Sequence, residues 1–302
     1  MLRISQLQPR LSMRSFLFAT LLSLLYSAVL SLSAYGEPSP SQQIAAKCTI
    51  SVLSLNLHGT RDSQAILTAL GEAGGFERAD VMLFQEVVRP REGEVGAVDD
   101  IARVLGMQIA YAPGFELRSG EQEGLAVLSR HPIVETRVIA LQRNDLLWRS
   151  RRRVALAVTV QTPAGQLRIY NVHLDTRVNL KARLEQLRPV AEEAAAYLGP
   201  VLVGGDLNTN PYRWVGHTLP VVGAPDQGAG VLRYMNALGY ASAFPRKTPT
   251  SRWFRMQLDW LFLRNLDAGP VAIRPISFSD HHALRACLQF APASQRTSPL
   301  GN

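Results

Sequence analysis

The sequence predicts a layered α+β sandwich built from one domain of about 250 residues. Short apolar strands, β-branched or leucine-rich, recur between Gly, Pro, Asn and Asp turn residues. A few helical patterns are interspersed among them. Between Cys48 and Phe290 no internal repeat, low-complexity tract or linker marks a second domain.

In chain order, residues 1–14 carry Arg3, Arg10 and Arg14 and no acid, and residues 16–32 are almost wholly apolar. Ala34 and Gly36 follow, so residues 1–36 read as a secretory signal cleaved after Gly36. The apolar run also approaches the ~17–25 residues of a membrane helix, so an uncleaved anchor over 15–36 is the rival. Either reading exports the domain, to the periplasm or the medium or held at a membrane. Residues 37–46 read as a linker, 47–290 as the domain and 291–302 as a disordered tail.

Strands are predicted at 49–57, 79–86, 124–130, 153–161, 166–174, 200–207, 257–264 and 281–290. Helices are predicted at 63–73, 98–105, 180–198 and 230–238. The third puts Leu180, Leu184, Leu187 and Ala191 on one stripe, with Pro189 kinking it or starting a second segment.

Composition removes several classes. A hydrophobic content of 47% with a net charge of +8 excludes intrinsic disorder. Two cysteines exclude a disulfide miniprotein or a Cys-rich zinc scaffold. One long apolar run excludes a polytopic membrane protein, and no GxSxG elbow or P-loop supports a serine hydrolase or NTPase. Lysine is confined to Lys47, Lys181 and Lys247, so the basic charge is almost all arginine. Losing the leader would take three arginines and lower the charge from +8 to +5.

The informative polar residues fall at strand ends. Asn56 and Glu86 close the first two strands, His173 and Asp175 a later one, and Asp206 and Asn208 the next. Asp259 lies inside an apolar strand, and Asp280, His281 and His282 open the last. Burying an unpartnered carboxylate costs several kcal/mol, so apolar strands rarely carry one by accident.

LNLHG, LFQE, NVHLD, GGDLNTNP, LDWLF and SDHHAL, in this order and spacing, resemble the endonuclease/exonuclease/phosphatase superfamily with the deoxyribonuclease I-like fold. GLAVLSRHPI is similar to that family's connecting strand. The resemblance covers Cys48 to Phe290. It implies a four-layered α/β/β/α sandwich with the active site at one rim of two packed sheets, and divalent-metal hydrolysis of phosphoesters. Asn56, Glu86 and Asp280 would then lie at the metal, Glu86 as its carboxylate and Asn56 as oxygen ligand or water positioner. Mg²⁺ or Mn²⁺ suits such oxygen donors, whereas no HxxxH pair or Cys cluster suggests zinc. Asp206 and Asn208, two apart and so on one side of an extended strand, would orient water and phosphate. Asp259 would fix the tautomer of His281, and His173 would contact the phosphoryl or leaving oxygen. Either Asp206 or His281 could take the water's proton, and His282 should face away.

Arginines cluster at 148–153 and 246–255, with Arg151, Arg153, Arg252 and Arg255 as candidate phosphate contacts among aromatic residues. They fit a nucleic-acid backbone or an anionic lipid surface. The sequence shows no long aromatic-rich hairpin suited to membrane insertion, which favours the nuclease-like reading. The resemblance makes the first and last strands antiparallel neighbours, which implies a Cys48–Cys287 disulfide in an oxidising compartment. The expectation is an exported, monomeric phosphodiesterase acting on nucleic acid. Its rivals are the same core acting on a phospholipid, sphingomyelin or a small phosphorylated metabolite, and a binding module without turnover.

Overall fold

The computed structural model describes residues 48–90, 94–146, 151–222 and 226–292. The expected leader, the linker, the tail from residue 293 and Trp148, Arg149 and Ser150 of the first arginine cluster lie outside them. Two six-stranded sheets pack face to face. The first runs in the order β13 (Leu266–Pro275), β14 (His282–Phe290), β1 (Ile50–Asn56), β2 (Val81–Arg89), β4 (Gln122–Ser129) and β3 (Gln108–Glu116). The second runs β11 (Ala241–Ser242), β12 (Asp259–Arg264), β8 (Val201–Asp206), β7 (Gly165–His173), β6 (Val154–Thr162) and β5 (Ile133–Ala140). Only β1–β2 and β7–β8 pair in parallel.

Strand alternation divides the apolar residues between layers. Val52, Leu83 and Val127 meet Leu156, Ile169 and Leu261 between the sheets. The opposite faces bury Leu53, Leu55 and Phe84 under α1 (Ser63–Glu72) and α2 (Ala97–Leu105), and Tyr170, Val203 and Phe262 under α3 (Leu180–Ala196) and α4 (Gln227–Ala237). Four layers result, α/β/β/α. Covering both faces explains why the inner strands read as unbroken apolar runs. Among the described residues no helix is long and apolar enough to cross a membrane.

The eight strands expected from sequence are the interior strands of the two sheets. Those not expected, β3, β5, β11 and β13, are the four edges. Edge strands hold more polar residues, and β5 is mostly exposed, so no apolar run marks them. A short hairpin, β9 (Arg213–Val215) with β10 (Leu219–Val221), was not expected either.

Pro189 does not divide α3, which is one helix of 17 residues. Its buried face also differs from the expected stripe. Arg183, Gln186, Leu187, Val190, Ala191 and Ala194 are buried, while Leu180 and Leu184 are only partly covered.

A disulfide joins Cys48 to Cys287 with Cα atoms 5.3 Å apart, tying the start of β1 to its antiparallel neighbour β14. Cys287→Ser should lower unfolding stability by about 2–5 kcal/mol. A denaturant midpoint that is the same in the variant and in wild type would refute this contribution.

Candidate active site

Strand register assembles the site. On the second sheet Asp259 pairs with Asp206 and Asp206 with His173, which sets three polar groups side by side at one sheet end. On the first sheet Asn56 pairs with Gln85, so Glu86 lies one residue beyond. Asn56 joins the two sheets, its Nδ2 donating to Glu86 Oε1 and Asp206 Oδ2, both at 3.2 Å. Its Oδ1 accepts from the His58 N–H at 2.9 Å.

Local backbone makes this convergence possible. Gly205 has φ +124°, and a Cβ there would stand 2.2 Å from the Val172 carbonyl, so the glycine just before Asp206 is required by close strand approach. Glu86 sits at φ +51°, where the pairing of β2 with β4 slips. A left-handed glutamate costs on the order of 1 kcal/mol, and such strain concentrates at functional sites. Ser279 Oγ donates to the Asn56 carbonyl at 2.7 Å and accepts from the His281 N–H at 3.0 Å, which locks the entry to β14 onto the end of β1.

Asp206 is 1% exposed. Asn208 lies past the strand at φ +54°, so the expected strand alternation does not relate the pair. Instead a turn folds Asn208 back, and its N–H and Nδ2 both donate to Asp206, at 2.9 and 3.2 Å. Burial pushes the Asp206 carboxyl up to about 7, against the pull of His281. His281 Nδ1 lies 2.8 Å from Asp259 Oδ2, which leaves its Nε2 3.6 Å from Asp206 Oδ2. Burial opposes the imidazolium, but Asp259 and Asp206 outweigh it and hold His281 up at about 10.

His173 is the contrary case. Its Nε2 lies 3.5 Å from Asp206 Oδ2 and 3.8 Å from Glu86 Oε1, and its Nδ1 accepts from Arg153 Nη1 at 3.1 Å. Burial, with Arg153 next, holds its pKa well below the usual imidazole value. Arginine cannot accept a proton, so His173 is neutral with its hydrogen on Nε2.

Ligand atoms of Asp206, Asp259 and His281 lie within 4.8 Å of one another. The His281 Nδ1 contact with Asp259 Oδ2 at 2.8 Å also lets the three act as a hydrogen-bonded relay. Glu86 suits a divalent ion better, since its carboxylate is 26% exposed on the wall of a cleft of 670 Å³ and receives the neutral Asn56 amide. That is a hard oxygen donor of the kind Mg²⁺ and Mn²⁺ take. Asp280 is 39% exposed, with Oδ1 3.1 Å from His58 Nδ1. His282 is half-buried, and burial lowers its pKa.

The candidate phosphate contacts separate. Arg151 lines the cleft, over the Phe115 ring and 3.3 Å from Glu123. Arg153 corrects the expectation of a surface phosphate contact. It is buried, and its guanidinium is engaged by His173 and by Asp175 Oδ1 at 3.0 Å. Arg252 and Arg255 are exposed on the turn before β12, around Trp253 and Phe254.

Glu123, Trp214 and Arg183 are among the residues near the site that were not singled out from sequence. Glu123 lines the cleft, and burial raises its carboxyl. Trp214 lines it from the short hairpin. Arg183 is fully buried and donates to the Asp175 and Leu207 carbonyls at 2.8 and 2.6 Å, holding the segments after His173 and Asp206 together. The available signal for Arg183 was a long polar side chain within a helical stripe that packs on a sheet.

The sequence model of the Endonuclease/Exonuclease/phosphatase family matches residues 53–281. The chain is 23% identical over 181 residues to the UPF0294 protein YE0917 of Yersinia enterocolitica, a match spanning 60% of this chain and 63% of that protein. Among solved structures, an endonuclease/exonuclease/phosphatase from Beutenbergia cavernae is similar at TM-score 0.64 and 22% identity, over 81% of this chain and 72% of that one. D. rerio TDP2 complexed with a single-strand DNA product is similar at TM-score 0.57 and 16% identity, over 80% of this chain and 98% of that one. At such identities the structural likeness carries the fold, the deoxyribonuclease I-like sandwich.

Arg153→Met removes the donor that sets the His173 tautomer and should lower kcat by about 10²-fold, with KM less affected. Steady-state kinetics with a chromogenic phosphodiester read this, and an unchanged kcat would show that Arg153 only packs.

Proposed function

The chain belongs to the endonuclease/exonuclease/phosphatase family, whose members hydrolyse phosphoester bonds, and we propose that it is an exported, monomeric phosphodiesterase acting on nucleic acid with Mg²⁺ or Mn²⁺. The observation that carries this is the buried Asp206 carboxyl, held by both donors of Asn208, with Nε2 of His281 and of His173 at 3.6 and 3.5 Å.

Asp206, raised toward neutrality, is the better general base, since a protonated His281 has no lone pair to accept a proton. Asp206 would take the water's proton as its oxygen attacks phosphorus in line with the leaving oxygen. His281 Nε2–H would donate to a phosphoryl oxygen, with Asp259 holding the ring through Nδ1. His173 Nε2–H would donate to a phosphoryl oxygen or to the leaving oxygen. A divalent ion at Glu86, with Asn56 and Asp280 alongside, would supply charge stabilisation for the phosphoryl and leaving oxygens. Export is supported by the N-terminal pattern and by a disulfide that belongs to an oxidising compartment, periplasmic or extracellular.

A second reading has its own observation. Trp253 and Phe254 are 69% and 68% exposed on the turn leading to β12, and Leu219 and Val221 are exposed on the hairpin. These apolar groups would also suit a lipid surface, with a phospholipid or sphingomyelin as substrate.

Hydrolysis of plasmid DNA, RNA, sphingomyelin, inositol phosphates and bis-p-nitrophenyl phosphate should show nucleic acid as the preferred substrate. Turnover of lipid with none of nucleic acid would establish the second reading. EDTA should abolish activity, and full activity in EDTA would refute the metal. His281→Ala should lower kcat by about 10²–10⁴-fold. The base must be deprotonated and the imidazolium protonated, so kcat/KM should rise with pH through about 7 and fall above about 10. A profile flat from pH 5 to 8 would rule out Asp206 as the base.

A further inference from the structure

Glu86 reaches the cleft only because β2 is irregular where it sits. Along β2 Leu83 faces the second sheet and Phe84 faces the helices, so unbroken alternation would send Glu86 under α1 and α2 beside Phe84. Instead Phe84 pairs with Ala126 while Val87 pairs with Gly124, so Gln85 and Glu86 together stand against Leu125. One extra residue in a strand is a bulge, and a bulge re-aims a side chain. Val87 regains the helix-facing side. Glu86, at φ +51°, turns its carboxylate to the cleft wall, where Asn56 Nδ2 lies 3.2 Å away.

A side chain of the opposite sheet holds this bulge. Asn171, on β7, is fully buried between the sheets, and its Nδ2 donates to the carbonyls of Phe84 and Ala126, both at 2.9 Å. Those two residues are the last matched pair before the slip. The Asn171 Oδ1 accepts at 2.7 Å from Nε2 of Gln85, the residue next to Glu86. Both hydrogens and the oxygen of this amide are therefore used on β2 and β4 at the bulge. Packing alone does not call for it, since a buried hydrogen-bonded pair can be replaced by apolar groups of the same shape at little cost. A left-handed glutamate, by contrast, persists only where its surroundings over-determine it. Asn171 also stands two residues before His173 and pairs with Gly204, two before Asp206. One side chain thus sets Glu86 in register with both groups on the second sheet.

We propose that Asn171 is a positioning residue for the divalent ion, clamping the β2 bulge so that Glu86 stays aimed into the cleft at a fixed distance from Asp206 and His173. It touches neither ion nor substrate and acts through Glu86. The inference rests on the reading of Glu86 as the ion's carboxylate and adds what keeps that carboxylate in place. Without the clamp Glu86 can relax from its left-handed backbone, and the ion loses a pre-organised ligand.

The test measures Mn²⁺ binding to the full chain without substrate, by titration calorimetry, with thermal midpoints of the metal-free forms alongside. Asn171→Ser, small enough for the strand but too short to reach the two carbonyls, should raise the Mn²⁺ Kd by about 10–100-fold. Leu167→Ala, a truncation in the same inter-sheet core, should lower the midpoint and leave the Kd unchanged. Glu86→Gln should itself weaken Mn²⁺ binding, and adding Asn171→Ser to it should change the Kd no further, since the two act as one unit. Gln85→Met keeps Asn171 but removes the donor to its Oδ1, should weaken binding in the same direction, and carries the test if Asn171→Ser does not fold. A wild-type Kd in Asn171→Ser, or in Gln85→Met where that variant stands in, overturns the proposal. So does an equal loss of affinity in Asn171→Ser and Leu167→Ala, or a loss that persists undiminished on top of Glu86→Gln. If Glu86→Gln binds Mn²⁺ as wild type does, Glu86 is not the metal carboxylate, and the proposal falls with that reading.

Discussion

Asp206 Oδ2 is the point on which the two sheets close. Asn56 reaches it from the first sheet, Asn208 from the turn beyond β8, and two imidazoles stand within 3.6 Å of it. A carboxylate this deep would cost several kcal/mol without such partners. Every donor that stabilises it must therefore be delivered by a strand end or turn at the same rim. That requirement accounts for Gly205 before Asp206, the left-handed Asn208 and the Ser279 link between β14 and β1. The rim of a sandwich is where such groups can meet, because there the core ends and side chains from both sheets can face one another.

The arginine-rich composition takes on another meaning inside this frame. Part of the positive charge is internal. Arg183 is fully buried and joins the segments after β7 and β8 through their carbonyls, and Arg153 stands between Asp175 and His173. Planar guanidiniums suit this, since each can donate in several fixed directions at once. Net charge alone was therefore a poor guide to a binding face. The arginines nearest the chemistry act on protein groups.

What could be read from sequence follows the same division. Interior strands announced themselves because both of their faces are buried, whereas the edge strands β3, β5, β11 and β13 carry mixed residues and left no periodic trace. Asn56, Glu86, His173, Asp206, Asp259 and His281 stood out as polar residues within or ending apolar runs, and the structure brings them together. Arg183, Glu123 and Trp214 did not stand out. A charged residue on a helix, a glutamate near a strand start and a tryptophan in a short hairpin look the same from sequence whether they face water or a site. Asn208 was found by its spacing from Asp206, yet the spacing acts through a turn that no alternation rule describes.

The two histidines show how far the neighbours, rather than the residue type, set the chemistry. His173 and His281 present Nε2 to the same Asp206 oxygen, at 3.5 and 3.6 Å. Behind His173 the Nδ1 partner is a guanidinium, which can only donate, so that ring is kept neutral. Behind His281 the Nδ1 partner is the Asp259 carboxylate, which favours the proton, so that ring is kept charged. One residue type thus presents two differently tuned imidazoles to one carboxyl. Environments that push like groups apart are how a single site separates its acid from its base at one pH. Exchanging the partners behind the rings would make the ring next to Glu86 the cation and leave His281 neutral, inverting the field in which a phosphate would sit. Arg153 and Asp259, neither of them nearest the reacting atoms, therefore decide what the two imidazoles can do.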